Sequence, residues 1–259
     1  MRLLLYFALF ITYVGCSTTK DIKVTVRDGL FYDQNSKKLL SGKVTIPGGF
    51  FDDIEGESKG RLKNGKKTGL WKFYHSNGKL KEESHWNNDI KNGPSTEFFD
   101  SGNKMLEANI INGKKSGLCT EWFENGQIKN ERNFKNDKLE GLSKFWHKNG
   151  VLEFEFNHTD GKFNGLCRRW NENGVKIEEF YTKDDKHDGS FTEWYPSGSK
   201  KGESAWEDGK LISYSVWKPN GEKCNRTKIR NGDGVVVRYS EEGHVVAKTH
   251  FKNGKELAF

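Results

Sequence analysis

Apolar positions alternate with polar ones in short bursts that restart at a fixed interval. Gly69, Gly93, Gly117, Gly141, Gly165 and Gly189 recur every 24 residues. One residue after each opening glycine stand Leu70, Pro94, Leu118, Leu142, Leu166 and Ser190. Five residues after it stand Tyr74, Phe98, Trp122, Trp146, Trp170 and Trp194. Positions one and five share a face in a strand of period two, so the pattern predicts strands that bury a leucine and an aromatic ring together. Trp86, Ile110, Phe134 and Trp206 hold matching places on a return strand, with His158 and Thr182 as weaker members. Self-similarity at such a period marks a repeat architecture.

Two punctuation points separate the strands. One is Asn77-Gly78, with Ser101-Gly102, Asn125-Gly126, Asn149-Gly150, Asn173-Gly174 and Ser197-Gly198 in phase. The other runs Asn64-Gly65, Asn88-Asp89, Asn112-Gly113, Asn136-Asp137, Asp160-Gly161, Asp184-Asp185 and Asp208-Gly209. Asn, Asp and Gly accept the positive φ that two-residue type I′ turns require, so both points are expected to be such turns. The predicted fold is all-β, an elongated open antiparallel β-meander of stacked hairpins of about 24 residues. Each hairpin alone is marginal, and stacking supplies a continuous buried ridge.

Arg2 precedes an apolar run from Leu3 to Val14 that ends Gly15-Cys16-Ser17. About a dozen residues are too few for a helix to cross a bilayer, and the run reads as a signal peptide over 1–15. Gly15-Cys16 resembles a bacterial lipobox, with Tyr13 departing from the usual leucine. Cys16 is therefore the expected lipidation site, giving an exported chain anchored to an envelope membrane. The remaining organisation is an anchor and linker over 16–28, capping hairpins over 29–68, six regular repeats over 69–212, and degenerate repeats with a cap over 213–259.

The composition fits short strands and turns, with 29 glycines and 13% aromatic residues. The charge is +7 with signs interleaved, and no basic stripe or recognition helix points to nucleic acid. Cys119 and Cys167 occupy equivalent places two periods apart, too distant for a disulfide, so these thiols and Cys224 are expected to be free or buried. His75 and His147 are three repeats apart and cannot share a metal ion. No nucleophile-base pair or cofactor motif appears, and neither a metal nor a cofactor is expected. Glu83, Glu107, Glu131, Glu155, Glu179 and Glu203 form a column whose simplest role is pairing with neighbouring Thr and Lys residues. Trp71, Phe73, Phe99, Phe123 and Tyr195 fall off the core pattern, onto the other face, and are the candidate binding surface if exposed together.

The recurring string Asn-Gly-Lys-x-x-Gly-Leu-x-x-x-x-Trp/Tyr-x-x-Asn-Gly, present at Asn64–Gly78 and with substitutions through Gly221, resembles the bacterial MORN-repeat variant of the YwqK-type antitoxin family. The resemblance covers nearly all of the chain after the signal and implies a stacked-hairpin fold; such repeats also occur appended to kinases or methyltransferases, but no residues are left over here for such a domain, and no catalysis is expected. It also implies a protein partner, with a binding scaffold as the leading function and neutralisation of one toxin as the alternative.

Overall fold

The computed structural model describes residues 9–14, 19–49 and 55–257, and among these there is no helix. The chain divides into two compact units, residues 1–126 with 135–137, and residues 127–134 with 138–259.

The first unit opens with β1 (Leu9–Val14), β2 (Thr19–Arg27), β3 (Leu30–Asp33), β4 (Gly42–Ile46) and β5 (Ser58–Lys63). It continues through β6 (Lys66–Tyr74), β7 (Leu80–Asn87), β8 (Ile90–Phe98), β9 (Lys104–Ile111) and β10 (Lys114–Trp122). From β4 onward each strand pairs antiparallel with the next. β1 lies inside the segment read as a signal peptide and pairs with both β2 and β4. The stretch expected to be a linker carries β2, whose Lys-Val-Thr-Val-Arg alternation suits a strand. Cys16 lies outside the described residues.

The second unit contains β11 (Ile128–Lys135), β12 (Lys138–Trp146), β13 (Leu152–Thr159), β14 (Lys162–Trp170), β15 (Lys176–Lys183), β16 (Lys186–Trp194), β17 (Lys200–Glu207) and β18 (Lys210–Val216). The strands from β12 to β18 pair in sequence order. A separate four-stranded sheet follows, made of β19 (Lys228–Arg230), β20 (Asp233–Tyr239), β21 (Val245–Lys252) and β22 (Lys255–Glu256). The antiparallel hairpin meander is thus the fold that the repeat predicts.

The two turn types differ. At Asn64-Gly65 both residues have positive φ, 51° and 73°, as a type I′ turn requires. At the other point only the glycine does. The amide of Gly78 donates to the His75 carbonyl at 3.0 Å and the amide of His75 to the Lys79 carbonyl at 2.8 Å. Gly78 has φ of 80° while Asn77 stays at negative φ. This is a three-residue turn closed by a glycine bulge, correcting the expectation of two type I′ turns. Asn77 serves instead through its side chain, accepting from the Lys79 amide at 2.9 Å and donating to the Asp100 carbonyl at 3.0 Å.

Turns between repeats alternate in chemistry. Gly65, Gly113 and Gly161 alternate with Asp89, Asp137 and Asp185. Each of these aspartates accepts a backbone amide through its carboxylate, from Lys67 at 2.7 Å, Lys115 at 2.7 Å and Phe163 at 2.8 Å. At the glycine-bearing turns the first residue is instead capped from the preceding repeat. Asn112 donates its amide to Asn92 Oδ1 at 2.9 Å, and Asp160 to Glu140 Oε2 at 3.0 Å. The hydrogen-bonding period is therefore two hairpins.

Each unit keeps its main hydrophobic core at its irregular end. In the first, Val24, Phe31, Leu40, Val44, Ile46, Leu62, Trp71 and Phe73 cluster, with Trp86 packed against them. In the second, Leu211, Val216, Cys224, Ile229, Val236, Val237, Tyr239 and Phe251 do so. Full burial of such side chains contributes about 1.5–3 kcal/mol each.

Candidate functional site

The strands of the regular repeats have a more covered face and an outer face, and the covered one is not the face that the leucine and aromatic columns select. The buried column stands two residues after each opening glycine: Trp71, Ser95, Cys119, Ser143 and Cys167 are all at most 3% exposed. Across the ladder Trp71 faces Ser84, Ser84 faces Ser95, and both Ser95 and Cys119 face Ala108. In the second unit Phe156 lies between Ser143 and Cys167, and Phe180 between Cys167 and Phe191. This face is thus lined by small residues from Ser84 to Cys119 in the first unit and by phenylalanines among small residues in the second. Its rings stack at 5.3 Å for Phe145–Phe156 and 5.2 Å for Phe180–Phe191. Trp86 belongs here too, edge-on to Phe73 at 6.3 Å, rather than with the leucine column.

This placement corrects the candidate surface. Trp71, Phe73 and Tyr195 are 0%, 4% and 2% exposed, so they are packed within their units and present no common surface. The Tyr195 hydroxyl donates to the Trp217 carbonyl at 2.9 Å, and the Trp71 indole N–H donates to the Arg61 carbonyl at 3.1 Å. Phe99 and Phe123 are half-buried. The alternation itself is kept, and what differs from expectation is which of the two faces is covered. The ladder shifts register around the opening glycines, between Ser84 and Trp86, Lys115 and Cys119, and Phe156 and His158. Each shift sets four residues on one strand against two on the other, so the alternation survives it: Leu70, Leu118 and Leu142 stay on the outer face with the aromatic column, and the residue after each of them covers the sheet.

The outer face carries a recurrent arrangement. Leu70, Leu118 and Leu142 are 39%, 51% and 39% exposed, beside a half-buried aromatic column that includes Tyr74, Trp122 and Trp146. In the first unit Lys104 Nζ lies 5.3 Å from the Trp122 ring centre and 2.6 Å from Glu107. In the second, Lys176 lies 4.5 Å from Trp194 and 2.8 Å from Glu179, and Lys200 lies 5.1 Å from Trp217 and 3.1 Å from Glu203. Ring, ammonium and carboxylate thus recur as a unit held by cation–π attraction and an ion pair. The glutamate column is built into this ladder. Glu83 pairs with Lys72 at 2.9 Å, and Arg168 bridges Glu155 and Glu179 at 2.6 and 3.0 Å. The hydrogen bond and charge of Lys176, with those of Arg168, hold the Glu179 carboxyl below its ordinary range despite some burial.

The histidines and thiols have local partners. His75 and His147 reach the carbonyls of Phe98 and Trp170 in the next repeats, at 3.0 and 3.1 Å. Cys119, Cys167 and Cys224 are buried thiols, none of them in a disulfide. Burial pushes the Cys167 thiol up, partly offset by Thr182. For Cys224 burial acts in the same direction but is outweighed by hydrogen bonds from the Tyr239 hydroxyl and the Thr227 and Arg226 amides, so its pKa is lowered. Among the described residues no group of three His, Cys, Asp or Glu side chains could hold a metal ion. A 380 Å³ concavity in the second unit is lined by Trp206, Tyr214 and Arg238; the Tyr214 hydroxyl donates to Glu193 and is pushed above its ordinary pKa by burial.

Four segments, 67–88, 115–136, 139–160 and 232–253, match the family model described as a MORN repeat variant. Those four segments carry the MORN-variant pattern. The matched segments begin two residues before the opening glycine, and the last shows that the hairpin at Gly234 keeps the repeat pattern within the C-terminal cap. The unmatched hairpins in phase with them, such as that opening at Gly165, have the same strands and turns. MORN repeats are generally protein- or membrane-binding modules on a repeat-sheet fold that is typically non-catalytic. No curated protein matches the chain.

Proposed function

We propose that this protein is a non-enzymatic scaffold of a bacterial envelope, anchored through acylated Cys16, that docks a protein partner on the outer face of its MORN repeats. The observation that carries this reading is the outer face itself. Its exposed leucines stand at repeat spacing beside aromatic rings capped by Lys–Glu pairs. Trp and Tyr side chains are among those that protein interfaces favour. Repeated presentation lets several weak contacts add up along one partner.

The test is cross-linked capture of partners by the wild-type chain and by Leu70→Glu/Leu118→Glu, with circular dichroism as a fold control. The reading expects one set of proteins to be lost from the double variant while the fold is retained; equal capture by both would remove the outer face from consideration. In parallel, Cys16→Ala is expected to move the protein from the membrane pellet to the supernatant. If the captured protein is a single stoichiometric toxin, the scaffold becomes an antitoxin acting through the same face.

A further inference from the structure

The first unit contains a charge arrangement that its own fold does not explain. Strands β4, β5 and β6 place Lys43 directly opposite Arg61, and Lys59 directly opposite Lys72. Like charges facing each other across an antiparallel ladder are destabilising. Lys59 and Arg61 are also two residues apart on one strand, so all four cations point to the same face. Neighbouring strands are about 4.8 Å apart and alternate residues about 6.8 Å, which confines the four Cα positions to roughly 10 by 7 Å. They line a concavity of about 520 Å³ together with Leu70 and Tyr74.

Two of the four charges are neutralised locally, Lys59 by Glu57 and Lys72 by Glu83. Among the described residues Lys43 and Arg61 have no carboxylate within ion-pair distance, leaving two positive charges side by side. We propose that this concavity binds a phosphate monoester, with Arg61 and Lys43 holding the phosphate oxygens and Leu70 and Tyr74 flanking the esterified group. A monoester carries close to two negative charges at neutral pH, matching the two uncompensated cations. The planar guanidinium of Arg61 can take two oxygens at once, and the Lys43 ammonium serves as a compact point charge. The apolar neighbours favour an organic ester over inorganic phosphate. Lys43, Lys59 and Arg61 precede the first matched MORN segment while Leu70, Lys72 and Tyr74 lie within it, so the site joins the N-terminal cap to the first repeat and shares Leu70 with the proposed docking face; the Arg61 and Lys43 variants leave Leu70 untouched and so test it apart from that docking.

The experiment is isothermal titration of the full chain with phenyl phosphate at constant ionic strength, with phenylsulfonate as the singly charged control. Phenyl phosphate is expected to bind more tightly than phenylsulfonate and to weaken as pH falls below about 6, where the monoester gains a proton. Arg61→Gln and Lys43→Gln are each expected to lose about tenfold in affinity, the value of one charge-assisted contact. The same variants are expected to melt at higher temperature than wild type without the ligand, because a like-charge pair has been relieved. That paired signature separates a site from a merely damaged fold. No difference between the two ligands, or equal affinity of wild type and both variants, would overturn the proposal. Flotation with phosphatidylcholine vesicles, with and without phosphatidic acid, distinguishes the source of the ester. A gain with phosphatidic acid that Arg61→Gln abolishes assigns the site to a lipid headgroup; phenyl phosphate binding without that gain assigns it to a soluble ester.

Discussion

The Trp71 indole lies across the bare α-carbon of Gly60 on the neighbouring strand. A Cβ built at Gly60 would stand 2.2 Å from the ring, although this glycine has no unusual φ. Space, not backbone freedom, is what glycine supplies here. Trp71 is fully buried, centres the first unit's core, and donates its N–H to the Arg61 carbonyl next to that glycine.

Gly60→Ala should therefore displace the indole or bend β5, costing about 1–3 kcal/mol by overpacking. Urea unfolding followed by tryptophan fluorescence measures it. A variant as stable as wild type would show that the ring has room to move.

The alternating turns offer a cleaner probe of one hydrogen bond. Asp89→Gly keeps the positive φ but removes the acceptor for the Lys67 amide, and should cost about 1 kcal/mol with faster hydrogen exchange at Lys67. Gly113→Asp tests the reverse at a turn whose first residue, Asn112, already donates its amide to Asn92. No stabilisation is expected there.

Stability should also depend on pH through His158, which is 4% exposed and packed against Phe156 and Phe163. Burial holds its pKa below the ordinary 6.5, partly opposed by the Asp185 carboxylate. The unfolded chain therefore binds the proton first as pH falls, and stability is lost from the ordinary histidine range downward until the folded-state pKa is passed. His187, lowered by burial, acts in the same direction. Midpoints of urea unfolding between pH 7.5 and 5 should fall for wild type and fall less for His158→Phe.

On the outer face, Lys104→Ala exposes the Trp122 ring and leaves Glu107 without its ion pair. Because the pair is exposed, stability should change by less than about 1 kcal/mol. Partner capture should change more, and comparable capture by this variant would place the contact elsewhere.

The hairpins, their order and the turns between repeats were legible in the 24-residue columns of glycine, Asn and Asp. The buried face was not. Pattern reading follows large apolar side chains, and here Ser84, Ser95, Ser143, Cys119 and Cys167 are among the most buried positions of the regular repeats. The two-residue alternation holds, but it puts Leu70 and Leu118 on the outer face and the residues after them on the covered one. The core residues Trp71 and Phe73 consequently looked like outliers available for binding. The opposed cations were hidden for another reason. Lys43, Arg61, Lys59 and Lys72 form no motif along the chain, and only the pairing of β4, β5 and β6 brings them together.

The alternation of glycine and aspartate turns sets the step by which such a chain can lengthen or shorten. Removing 48 residues joins like to like and leaves every carboxylate opposite the amide it accepts. Removing 24 abuts two turns of one kind, so that a carboxylate meets a strand already capped or an amide finds no acceptor. Duplication and deletion within this protein are thereby channelled into pairs of hairpins, and the tandem array counts in fours of strands.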